Sequence, residues 1–256
     1  MMMTRRIRDK AERVVAVLDS WDEVVAVGLT ATGEDLYDPY LTMSFDVYIG
    51  AEVRGVSDRE GAFGDIGAFE SSLLTRKDRF LMDELPVRLE YKRTERFDEL
   101  IAAALRGECT LRDAGTYAFR RVVDAEVLLS RSGWLESMRG SLKDLPDRFW
   151  AQLRSAQQAT VEHLFADLSA AAMREDDFYF VASSGSFLTQ LCALLFTVNR
   201  AFEPSPRTLQ SEALRLDEIP DSFPANLESF VRQDQGLSMS QRQELAELMV
   251  TSVFSL

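Results

Sequence analysis

The sequence predicts an α+β protein: a small mixed β-sheet domain followed by an all-helical bundle. Three observations carry this. Segments 41–49 and 85–93 alternate apolar and polar residues with period two, the mark of a strand buried on one face. Segment 23–30 is a β-branched apolar run of strand length. From about residue 110 onward, apolar residues recur at helical spacing. The expected boundary therefore lies near 110, with a mixed domain over 1–110 and a helical bundle over 111–256.

Over 4–19, Ile7, Ala11, Val14 and Leu18 share one helical face and charged residues take the others. The run 23–30 reads as a buried strand ended by Gly28, and 31–40 as a loop of Gly, Asp and Pro. In 41–49, Leu41, Met43, Phe45, Val47 and Ile49 lie on one face, and Thr42, Ser44, Asp46 and Tyr48 on the other. Segment 50–69 holds five of the thirteen glycines and reads as a long excursion. A helix is expected over 70–82, and strand 85–93 places Val87, Leu89 and Tyr91 opposite Arg88, Glu90 and Lys92. Helix 96–107 closes at Gly107, where a left-handed residue is wanted. Helices follow at about 114–132, 146–174, 178–202, 207–215, 222–233 and 240–254, the last opening on a Ser240–Gln243 capping box. The expected sheet carries its helices on one face.

Composition narrows the function classes. The 256 residues are 46% hydrophobic and 28% charged, the balance of a globular protein. A net charge of −13 repels phosphate backbones, which argues against a general nucleic-acid binder. Cys109 and Cys192 are far apart and lack metal-site spacing, which suits a reducing cytoplasm. The charged N-terminus has no apolar signal core, and the apolar run 186–198 is short for a bilayer, so no membrane partner is expected. His163 is the single histidine and has no evident catalytic partner, which weakens Ser-His-Asp schemes.

The chemistry concentrates in two acids. Asp46 and Glu90 sit on the polar faces of their strands; on neighbouring strands both would face one cleft. Paired carboxylates are what magnesium needs, with water and substrate phosphates completing its octahedron. A turn at Gly28 would let backbone amides approach a triphosphate. Lys77 and Arg79, or Arg88 and Lys92, would neutralise phosphate; equally, they form solvated ion pairs.

The order of helix, "VGLT", loop, "SFDVYI" and "VRLEYK" resembles the nucleotidyltransferase superfamily, and "LLFTVNRAFEPSPRTL" resembles the helical half of the DUF4037 type. The resemblance implies a nucleoside triphosphate with Mg2+ as cofactor, and transfer of a nucleoside monophosphate to a small-molecule or protein acceptor. It makes Asp46 and Glu90 catalytic metal ligands, and Gly28, Thr30, Ser44 and Arg207 nucleotide-binding residues. The chain departs from the pattern in two places. Gly28 is followed by Leu29, with Thr30 one place later, where the family has Gly-Gly or Gly-Ser. The family's acid-x-acid pair keeps one acid, Asp46, with Ser44 or Tyr48 as its companion. Asp35 and Asp38 in the loop are the remaining oxygen sources. A degenerate nucleotide-binding or regulatory pseudoenzyme, and a helical protein-interaction module, stand beside the active enzyme as readings.

Overall fold

The computed structural model describes residues 5–30, 41–72, 76–108, 115–232 and 236–256. It is mixed α+β. The chain folds into two compact units, one of residues 1–103 with 121–144, the other of 104–120 with 145–256.

The first unit is built on a six-stranded sheet of β1 (Val24–Thr30), β2 (Met43–Ile49), β3 (Gly67–Ser72), β4 (Lys77–Met82), β5 (Leu85–Arg93) and β6 (Glu126–Ser130). Their spatial order is β3-β4-β5-β2-β1-β6, with β2 and β5 parallel and the other neighbours antiparallel. Helix α1 (Arg5–Asp19) lays Ile7, Ala11, Val14 and Leu18 into a core with Met43, Phe45, Val47, Val87 and Leu89. Trp21 closes that core, stacked on Tyr91 at 6.4 Å between ring centroids and edge-on to Phe63 at 5.9 Å.

The opposite face is covered as well, contrary to expectation. Tyr48 is fully buried between Phe97, on α3 (Thr94–Leu105), and Trp134, 4.9 Å away between ring centroids. The polar face of β2 is therefore an interior.

Three further expectations are corrected. The excursion 50–69 contains a helix, α2 (Val56–Ala62), and the start of β3. The helix expected over 70–82 is replaced by strands: β4 buries Asp78, Phe80 and Met82 in strict alternation. Asp78 mimics a polar-face residue in sequence, yet it lies in the core, paired with Arg59 at 2.8 Å and accepting from the Tyr91 hydroxyl at 2.8 Å. The helix expected over 114–132 is a shorter helix, α4 (Tyr117–Asp124), followed directly by β6, and α5 (Trp134–Lys143) follows.

The second unit is helical: α6 (Asp147–Met173), α7 (Asp177–Val198), α8 (Leu209–Ala213), α9 (Phe223–Val231) and α10 (Met239–Phe254). Val161, Leu168, Phe187, Leu191, Leu195, Phe223 and Met249 are in its core. The capping box of α10 is Ser238 with Gln241, two residues before the expected pair. Helix α7 is longer than its apolar run and, by length and composition, is the one described helix that could cross a membrane; half of its most apolar window is buried in the protein.

Candidate functional site

Strand register brings the two acids together. Asp46 on β2 is the parallel partner of Glu90 on β5, and Gly28 on β1 is the antiparallel partner of Asp46. Thr30 pairs with Ser44 in the same ladder. Five of the six site residues expected from sequence thus form one patch of adjoining strands.

What surrounds Asp46 is not solvent or a cleft but cations. Its carboxylate is fully buried. Arg121, from α4, donates to both oxygens: Nε to Oδ2 at 2.7 Å and Nη2 to Oδ1 at 2.6 Å. Lys92, two residues after Glu90 on β5, adds its Nζ at 2.9 Å from Oδ1. Arg121 is itself buried, and its Nη2 also reaches the Ser44 hydroxyl at 3.4 Å. A buried carboxylate without such partners would bear a large desolvation cost; the bidentate guanidinium is the geometry that offsets it best.

Glu90 is held similarly but nearer the surface. Arg88 Nη2 donates to its Oε2 at 2.9 Å, and Lys77, opposite it on β4, lies 3.4 Å from the same oxygen. Burial pushes the Glu90 carboxyl up, but Lys92, Arg88, Lys77 and Arg121 outweigh it and hold the pKa below the ordinary glutamate range. Tyr48 completes the patch. Burial first, and the Asp46 charge second, raise its phenol well above the ordinary value, so it stays neutral. Its hydroxyl has no hydrogen-bond partner among the described residues.

The charges add to an anion-favouring patch: two acids, Asp46 and Glu90, against four bases, Lys77, Arg88, Lys92 and Arg121. This donor set fits a magnesium ion poorly. Among the described residues, both oxygens of Asp46 are engaged, Ser44 and Tyr48 offer hydroxyls where a second acid would stand, and of the two carboxylates only Oε1 of Glu90 lies outside the ion pairs. Among the described residues no three His, Cys, Asp or Glu side chains gather as metal ligands. Asp35 and Asp38 lie outside the described residues, as does Cys109.

The remaining expected residues have local duties. Gly28 lies inside β1, not at a turn. A Cβ there would come within 2.8 Å of the Ala125 Cβ, so this glycine allows close approach of the chain before β6. The Thr30 hydroxyl donates to the Ser44 carbonyl at 3.1 Å. Arg207 is exposed in the second unit, before α8, and its amide donates to the Ser205 hydroxyl at 3.4 Å.

The helical motif that contains Arg207 is a set of braces. Asn199 donates to the carbonyls of Leu195 and Glu218, each at 2.8 Å, and accepts from the Glu218 amide at 2.8 Å. Arg200 pairs with Asp147 at 2.7 Å. Glu203 accepts from the Thr116 amide, while the Glu203 amide donates to the Thr116 hydroxyl at 2.9 Å. Gly115, at φ +55°, leaves room for that carboxylate.

Residues 113–207 match the model of a family described as a domain of unknown function, DUF4037. The chain superposes on the crystal structure of a nucleotidyltransferase-like protein from Exiguobacterium sibiricum 255-15 with a TM-score of 0.52. The fold is nucleotidyltransferase-like, and residues 113–207 are similar to DUF4037. The superposition covers 97% of this chain and 74% of the other at 13% identity, so the likeness is one of fold. No curated protein matches the chain. Within that fold, Arg121 was the residue sequence reasoning missed. Its signal was present: Ala118, Arg121, Val122 and Ala125 share one helical face, which puts a lone cation on an apolar stripe.

Proposed function

We propose that this nucleotidyltransferase-like protein is a phosphate-ligand-binding or regulatory module rather than a working transferase. One observation carries the reading: the carboxylate expected to hold metal is chelated by the protein's own Arg121 and backed by Lys92. A cation entering there would have to displace a buried bidentate ion pair, and pairs of this kind cost several kcal/mol to break. The surplus of positive charge at Lys77, Arg88 and Lys92, all partly accessible, suits the phosphates of a nucleotide without a metal bridge.

Thermal unfolding with ATP, in magnesium and in EDTA, tests this. The expected result is a stabilisation of equal size in both, reduced by Lys92→Ala; ligand at a hundredfold its Kd adds about 2.7 kcal/mol. The second reading is Mg2+-dependent transfer of a nucleoside monophosphate to an acceptor. The Asp46–Glu90 register favours it. A stabilisation that appears only with magnesium and vanishes in Asp46→Asn would establish that reading and end ours.

A further inference from the structure

The helical unit carries a surface that its own packing does not explain. At the turn between α6 and α7, Met173 and Phe178 are 86% and 84% exposed, and Val181 is 66% exposed. Phe178 begins a helical face that continues through Ala182, Gly185 and Thr189, at offsets of four, seven and eleven residues, flanked by Val181 and Ser186. All six are exposed, and α7 has no charged residue from 178 to 198. Large apolar side chains at one end and small ones at the other form a surface that a second helix can approach closely.

Gly185 adds an independent argument. Glycine inside a helix costs about 1 kcal/mol relative to alanine. An internal close approach is the usual reason for accepting that cost, but a Cβ at Gly185 would meet nothing within 4 Å. The protein's own fold makes no use of the missing side chain. A neighbour lying on the outer face would.

The rim selects the neighbour. Glu175, Asp176 and Asp177 are exposed beside Phe178, and among the described residues no cation pairs with them. The Asp176 carboxylate caps α7 by accepting from the Tyr179 amide at 3.0 Å, which keeps its charge at the tip. Along the chain from 173 to 181, Arg174 is the one cation beside these three acids. A second copy of this chain, itself at −13, or an anionic bilayer would meet like charge. We propose that the outer face of α7 docks an amphipathic helix of a partner protein, with its apolar side on Phe178, Val181 and Gly185 and its lysines or arginines toward 175–177. This inference does not depend on how the Asp46 patch is read.

The test uses the full chain and two labelled helical model peptides, each with leucines along one face. One carries lysines on its other face and the second carries glutamates. Fluorescence anisotropy should show binding of the basic peptide, weakened by salt, and none of the acidic one. Phe178→Asp should weaken it by about tenfold or more, as truncation of an aromatic anchor does. Glu175→Lys with Asp177→Lys should reverse the preference. Gly185→Ala should raise the thermal midpoint yet weaken binding, a combination that a purely structural glycine would not give. Equal binding of both peptides, binding unchanged by Phe178→Asp, or no binding of the basic peptide overturns the proposal. So does Phe178-dependent self-association in sedimentation, or binding to zwitterionic vesicles in place of the peptide.

Discussion

Replacing Arg121 with methionine puts the central ion pair under direct test. The substitution keeps an unbranched apolar stem of similar reach and removes the guanidinium. Asp46, fully buried, would keep only Lys92, whose amine lies 2.9 Å from Oδ1. Removing one partner of a buried pair costs about 3–5 kcal/mol, because the survivor is left charged without compensation. The remaining lysine puts the expectation at the lower end, about 3 kcal/mol. For a unit of this size each kcal/mol moves the midpoint by roughly 3–5 °C, so unfolding of the first unit should shift down by about 10 °C or more. Trp21 and Trp134 belong to this unit and Trp150 to the other, so fluorescence in a Trp150→Phe background follows the first unit's unfolding in urea. Adding Asp46→Val to Arg121→Met should recover most of the loss, since an apolar pair replaces an ionic one at little net cost. A single-mutant loss below about 1 kcal/mol, or a double mutant no better than Arg121→Met, would refute the claim that this pair holds the patch together.

Two further outcomes follow from the same geometry. Gly28→Ala places a methyl 2.8 Å from the Ala125 Cβ, and overpacking of this kind costs about 1–3 kcal/mol; Ala125→Gly should restore much of it, as read by urea midpoints. Two of the perturbed glutamates, Glu90 and Glu203, should act on acid stability with opposite signs. Glu90 is depressed in the folded state, so its contribution is present above the unfolded glutamate pKa of about 4.3 and is lost as pH falls through the folded value; Glu90→Gln should flatten that acid limb. Glu203 is raised, by burial that outweighs its Thr116 hydrogen bonds. Its contribution is present at low pH and lost as pH rises through the folded value, so Glu203→Gln should gain on wild type as pH rises above about 4.3. Chemical denaturation between pH 3 and 8 checks both.

Much of the architecture was written in local patterns. Period-two alternation located β2 and β5 and even the faces of their side chains, and helical spacing located α1, α3 and the long helices of the second unit. These are properties of neighbours in sequence, where backbone geometry alone decides which side chains share a face. The patterns failed where a partner far along the chain changed the meaning of a residue. Asp78 lies in a segment expected to be helical, and only Arg59, 19 positions earlier, and Tyr91, 13 later, make it an interior strand residue. Segment 126–130 is too short and too apolar to declare itself, and only pairing with β1 makes it a strand.

The site divides the same way. Alternation along the chain was enough to put Asp46 and Glu90 on the polar sides of two strands, with Ser44 and Tyr48 rather than a second acid flanking Asp46. Folding makes those strands parallel neighbours and brings a cation from 75 residues away onto both oxygens of Asp46. The cost of burying a charge is set by what surrounds it in space. A linear string names the charge without naming its counter-charge.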